Sequence, residues 1–226
     1  MNLRLPSALL VAGALAFTAA ACGDDDEKTT SNSTGAASSE KGTPEPAAKI
    51  DDLTGTSTKV TLDAGFVEAL TSLKVTPGPV GDATISKGGV ATFPITGGNV
   101  TYFTPGSVDP YVQGLINHDG AGLSLEAGGK KVELENFDVD PGKSVLTGDV
   151  SVDGEEAAAD APLFFLDGRT LQPLRTNADG SKAVLEGTTV KLKQEAADLL
   201  NMTFGIDALK AGLVIGVAKI TVNTGA

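Results

Sequence analysis

Few residues in this sequence are equipped to do chemistry. Its 226 residues include one histidine, His118, one cysteine, Cys22, two tyrosines, Tyr102 and Tyr111, and no tryptophan. A nucleophilic centre needs a serine or cysteine beside a base, normally histidine. Only a Ser–His118 pair could be assembled, and no nucleophile-elbow motif accompanies it. A zinc site needs three or four convergent nitrogen or sulfur ligands, more than one histidine and one cysteine supply. Carboxylates are plentiful, but paired-carboxylate glycosidase chemistry usually brings aromatic sugar platforms, and aromatics make up 4% of the chain. Asp149 to Gly154, continued to Asp160, has the look of a calcium loop. Glu156 stands where an apolar residue belongs, so the run reads better as a hairpin turn. Asp138 and Asp140 flank Val139 ahead of Pro141 and read as the exit of a strand. His118 precedes Asp119-Gly120 and reads as a strand-end residue whose ring bonds nearby backbone; the functional alternative is a pH-sensing group. No enzyme and no metal centre are expected.

The chain carries 29 acidic and 17 basic residues, a formal net charge of −12. Such a surface repels phosphate backbones, which speaks against a nucleic-acid partner. The first 21 residues read as an export signal: one positive charge by Arg4, then an apolar run from Leu5 to Phe17. At about 13 residues that run is too short to span a bilayer as a helix. Ala19-Ala20-Ala21-Cys22 follows, small residues before a cysteine, as in the box cut by lipoprotein signal peptidase. Residues 1–21 are therefore read as a lipoprotein signal peptide and Cys22 as the lipidated first residue. The expected location is the outer face of the cytoplasmic membrane or the cell surface. Residues 22–54 are acidic and rich in Ser, Gly and Pro, and read as a disordered tether. Such a tether spans on the order of 30 Å root-mean-square.

Residues 55–224 alternate apolar and polar side chains with period two. Thr58 to Leu62, Ala121 to Leu125, Lys131 to Leu134, Ser144 to Val152 and Thr189 to Leu192 all behave this way. Turn dipeptides bound these runs: Gly88-Gly89, Gly97-Gly98, Asp119-Gly120, Gly128-Gly129, Asp153-Gly154 and Asp179-Gly180. The pattern predicts a mainly β domain, an antiparallel β-sandwich or partly closed barrel. Short helices are expected near both ends, over Asp63–Leu73 behind an Asp63 cap and over Gln194–Phe204, with a further turn at Ile206–Lys210. The two strand–helix–strand stretches resemble each other, which suggests two equivalent units closing one sheet system.

Phe93-Pro94-Ile95-Thr96-Gly97-Gly98, then Asn117-His118-Asp119-Gly120-Ala121-Gly122-Leu123-Ser124-Leu125, is similar to the HtaA domain family of actinobacterial surface proteins. Asn136-Phe137, Leu146-Thr147-Gly148-Asp149 and Ala161-Pro162-Leu163 continue the likeness, as does Leu192 to Ala196. The resemblance implies a mostly β fold with a few short helices. Characterised members bind haem at the cell surface through a tyrosine supported by a histidine. His118 matches that histidine, whereas Ala69 occupies the tyrosine's place. The reading is therefore a membrane-anchored surface module with a non-catalytic binding or structural domain, whose partner is a surface protein or glycan. One alternative is haem as cofactor, held by Tyr111 or Tyr102 with His118; another is a surface hydrolase of unrecognised type.

Overall fold

A computed structural model describes residues 44–225; Cys22, the export signal and most of the tether lie outside the described residues. The alternating runs become strands β1 (Ala48–Ile50), β2 (Thr56–Leu62), β3 (Thr76–Gly81), β4 (Thr84–Ile85), β5 (Val90–Pro94), β6 (Gly97–Tyr102) and β7 (Val112–Ala127). Strands β8 (Lys130–Asp140), β9 (Val145–Val152), β10 (Glu155–Asp167), β11 (Arg175–Thr176), β12 (Lys182–Leu192) and β13 (Val214–Asn223) complete the sheet. Helix α1 (Ala64–Ser72) follows β2, and α2 (Gln194–Phe204) follows β12. Asp63 caps α1, its carboxylate accepting from the backbone N–H groups of Gly65 and Phe66, as an N-cap aspartate should. Among the described residues no helix is long and apolar enough to cross a membrane.

All pairings are antiparallel, in the order β1-β6-β7-β8-β9-β10-β12-β13-β2-β5-β4, with β3 added to β7 and β11 to β12. The sheet curls into a half-barrel, the partly closed barrel that the pattern predicted. Closure comes at the β5–β6 corner, where the Thr96 N–H donates to the Asn117 carbonyl at 2.9 Å. The Thr96 hydroxyl donates to Asp119 Oδ2 at 2.8 Å and accepts from the Asp119 N–H at 3.0 Å. The corner thereby lays the end of β5 against β7.

Register shifts produce the curl. Bulges interrupt β7 between His118 and Gly122, β8 between Glu135 and Asp138, and β9–β10 at three places. Each extra residue bends its strand and raises the local twist. These bulges are laced together by polar groups. The Gly120 N–H donates to Asn136 Oδ1 at 2.9 Å, Asn136 Nδ2 to Asp149 Oδ2 at 2.8 Å, and the Asp160 N–H to Asp149 Oδ1 at 3.1 Å. Asn136 and Asp160 have φ of 53° and 49°, left-handed values that short polar side chains tolerate best. The motif pieces Asp119-Gly120, Asn136-Phe137 and Gly148-Asp149 thus meet across neighbouring strands and fix its bends.

Five expectations change. Asp119-Gly120 is a bulge inside the sixteen-residue strand β7, because Asn136 and Thr96 supply the bonds that a turn would have made internally. Gly97-Gly98 likewise lies within β6, where a Cβ on Gly98 would stand 2.0 Å from the Leu115 carbonyl oxygen. Ile206–Lys210 is not helical: the Asn201 amide bonds both the N–H and the carbonyl of Leu209 and holds the segment open. The two strand–helix–strand stretches are neighbours through β13 but fold differently. β13 returns beside β12, whereas β3 leaves β2 and pairs with β7. The sheet also takes in β1 and buries Leu53 at 1% exposure, so its first strand lies within the stretch read as tether.

Gly122 marks a tight crossing at the β7 bulge. A Cβ there would stand 2.0 Å from the Leu134 carbonyl oxygen and 2.9 Å from Glu135 Cα, both backbone that cannot swing aside. Gly122→Ala is expected to destabilise the domain by about 1–3 kcal/mol or more. Gly88→Ala, whose nearest neighbour would be Ser86 Oγ at 3.8 Å, should stay within about 0.5 kcal/mol. Urea unfolding of the two variants measures the contrast.

Candidate functional site

The inward residues of the curl alternate along every strand: Thr58, Val60 and Leu62 on β2, Ile116 and His118 on β7, Ala218, Ile220 and Val222 on β13. They do not fill the space they enclose. A cavity of about 540 Å³ runs along the concave face, well inside the range of ligand pockets, about 300–1,000 Å³. Val60, Leu123, Leu146, Leu174, Leu185 and Ile220 line it and are only half-buried. Protein interiors pack as densely as organic crystals, so an apolar void of this size is a departure from an ordinary core.

His118 is on the cavity wall yet only 1% exposed. Its Nδ1 lies 3.0 Å from the Phe137 carbonyl oxygen and its Nε2 lies 2.8 Å from the Thr58 hydroxyl. A carbonyl only accepts, so Nδ1 carries the proton and donates, and Nε2 accepts from Thr58. The ring therefore spans from β7 to β8 and to β2 with both nitrogens engaged. Phe93 meets it edge-on at 6.4 Å, and Phe93, Phe137 and Phe164 continue the edge-to-face contacts. Burial is the main reason its pKa falls below the ordinary 6.5; the Phe137 carbonyl and the Asp138 and Asp119 charges oppose that fall without reversing it.

Tyr102 and Tyr111 also line the cavity and pack against each other edge-on, ring centres 5.8 Å apart. Burial and the neighbouring Tyr102 push the Tyr111 phenol above its ordinary 10.0, which favours the neutral form. Tyr102 pairs with Val112, six residues along β7 from His118, a separation of roughly 20 Å at strand rise. The 103–111 loop closes back on its own strand ends, with the Phe103 N–H bonded to the Tyr111 carbonyl at 2.7 Å. The tyrosines and His118 share one cavity but not one coordination sphere. Ala69, on α1, is not among the lining residues.

The sequence reading missed a polar cluster at the rim. Asp167 is buried and accepts from Arg169 Nε and Nη2, at 2.9 and 2.6 Å, and from Lys191 Nζ at 2.8 Å. These partners hold its carboxyl well below the usual carboxylate range, Arg169 foremost. A carboxylate so held cannot serve as a general acid near neutral pH. Asp167 also caps the short turn Gly168–Thr170 that carries Arg169, and the Asp-Gly-Arg spacing was the available signal. Thr58 was missed as well, although it stands in phase with Val60 and Leu62 as a buried polar residue on a largely apolar face.

No family model and no curated protein matches this sequence. The curled, bulged antiparallel sheet with two flanking helices does match solved structures. The C-terminal domain of HtaA from Corynebacterium glutamicum is 14% identical, with 77% of this chain and 98% of that one covered and a TM-score of 0.52. The haem-binding protein HtaB of the same organism is 10% identical over 78% and 94% of the two chains, with a TM-score of 0.45. The domain is a partly closed antiparallel β-barrel. More particularly, it has the fold of an HtaA-type domain.

The buried neutral ring makes stability depend on pH. A folded-state pKa below 6.5 means that the unfolded chain takes up the proton first as pH falls. His118 therefore leaves stability intact above pH 6.5 and erodes it progressively below. His118→Ala should cost about 2–4 kcal/mol at pH 7.5 by opening a void and orphaning Thr58 and the Phe137 carbonyl. It should also flatten the loss between pH 6.5 and 5; urea midpoints across that range measure both effects.

Proposed function

We propose that this chain is an exported, lipid-anchored, non-catalytic module that binds a small apolar ligand inside its curled sheet. The observation that carries the reading is the apolar cavity of about 540 Å³ held within one continuous, curled antiparallel sheet. The groups that might otherwise do chemistry there have structural duties. His118 has both nitrogens engaged, and Asp167 is committed to Arg169 and Lys191. Asp109, the other carboxylate on the cavity wall among the described residues, has no second free carboxylate beside it for hydrolysis. Anchoring rests on the export signal and Cys22.

Haem is the second reading, favoured by the tyrosine pair on the cavity wall and by the resemblance to HtaA domains. Tyr111 is then the iron ligand, since phenolate oxygen suits ferric iron. Tyr111 would have to give up a phenolic proton that burial helps it retain, and His118 lies six residues along β7 from the Tyr102–Val112 pair. Binding and structure remain the coarse function on either reading, with a surface protein or glycan as a further partner.

Two measurements test the proposal. Wild-type protein should fractionate with membranes, whereas Cys22→Ser should be exported and soluble; membrane retention of Cys22→Ser would contradict lipid anchoring. In the Cys22→Ser form, anilinonaphthalene sulfonate should bind saturably at one site and lose that binding in Leu185→Trp, which fills the cavity. Unsaturable fluorescence, or none, would contradict the cavity reading. A hemin titration of the same protein decides the second reading: a ligand-type absorption band lost in Tyr111→Phe establishes it, and a flat titration removes it.

A further inference from the structure

The rim of the cavity and the place where the chain enters the domain coincide. Ala48, Lys49 and Ile50 of β1 line the cavity, and Ala48 pairs with Tyr102. Lys49, Asp109 and Arg169 are the exposed charged residues of the lining. Two of the three are already compensated. Lys49 Nζ lies 2.6 Å from Asp51, and Arg169 is held by Asp167, which Lys191 also approaches. The rim therefore offers little unbalanced charge with which to select an ionic ligand, and the wall behind it is branched aliphatic side chains. A site of this kind recognises its ligand by apolar contact along its length. A flexible hydrocarbon chain satisfies that wall, because it adapts to an irregular lining and leaves no buried polar group unpaired. A rigid macrocycle with two carboxylates would instead seek free cations at the rim.

We propose that the cavity takes one acyl chain of a membrane lipid, with the headgroup left in water between Lys49, Asp109 and Arg169. The proposal rests on the anchored, cavity-binding reading above. The chain segment leading to Cys22 joins the domain at the rim, so a lipid anchor holds the opening at high effective concentration to lipid. Acyl-chain transfer between the bilayer and the domain is the activity this arrangement supplies.

The test uses Cys22→Ser protein, so that its own anchor does not compete. It is mixed with phosphatidylcholine vesicles holding a trace of pyrene-labelled phosphatidylcholine, re-isolated by gel filtration, and examined by fluorescence and native mass spectrometry. One phospholipid per protein is expected, reduced at least tenfold in Leu185→Trp and in Leu146→Phe, which crowd the cavity from β12 and β9. Displacement of anilinonaphthalene sulfonate from the unfilled protein by phosphatidylcholine reads the same event without relying on a substituted core. Equal lipid retention by folded, cavity-filled variants would overturn the proposal by placing the lipid elsewhere. Retention of stearate but not phospholipid would overturn the membrane-lipid source. No lipid retained, with saturable dye binding intact, would overturn the acyl-chain proposal and leave the cavity reading standing; loss of both would remove the two together.

Discussion

The half-barrel depends on one buried imidazole. His118 is the only histidine in the sequence, and its ring joins three strands that the curl must hold in fixed relation: β7 that carries it, β8 through the Phe137 carbonyl, and β2 through Thr58. β2 and β7 are not neighbours in the ladder, so this contact ties them across the β5–β6 corner, where the end of β5 lies against β7. A buried polar group stabilises only when every bonding capacity is met, and here both nitrogens are. The Phe93–Phe137–Phe164 contacts pack around the ring and exclude the water that would compete. An open sheet with apolar residues on its concave face would ordinarily collapse to bury them. This cross-strut, with the β5–β6 corner, resists collapse and leaves the space that becomes the cavity.

The bulges are the second constraint, and they share strands β7 and β8 with the first. Gly120, Asn136, Asp149 and Asp160 form a row of hydrogen-bonded groups across β7 to β10, the first two of which His118 also joins. Asn136 bonding pulls the Asp149 carboxyl below its ordinary pKa, aided by the Asp160 N–H, so the row keeps its charge well into acid. The motif that resembles HtaA domains is thereby explained as architecture. Its histidine, aspartate, glycines and asparagine set the bend of the sheet, and a chain can keep them while Ala69 stands where the family has its tyrosine.

Much of the fold was legible because period-two alternation survives burial on one face, as in Thr58 to Leu62 and Lys131 to Leu134. The Asp63 cap and the span of α2 were equally plain, since capping and helical spacing are local. Less of the site was legible. Asp119-Gly120 has the composition of a turn, and only the distant Asn136 and Thr96 make it a bulge. The cavity itself leaves no local mark: Leu185 and Ile220 look like ordinary core residues until the opposing wall proves too far away to fill. Asp167 acquires its role from Lys191, a partner on another strand. The tyrosines and the histidine were candidate ligand-binding residues by type, but their separation along β7 is a fact of register.

In the proposed function His118 is a strut and the aliphatic wall recognises the ligand. The most direct measurement is the imidazole nitrogen-15 spectrum of His118, unambiguous in a chain with one histidine, recorded from pH 5 to 8 and again with hemin or lipid present. A ring neutral and protonated at Nδ1 at pH 7–8, taking up a proton only below the ordinary 6.5, with no displacement of its nitrogen signals by either ligand beyond a small packing shift, is the predicted result. A ring that titrates near 6.5, or whose Nε2 signal is lost or moved as by iron on adding hemin, would contradict the account and make His118 part of the binding chemistry.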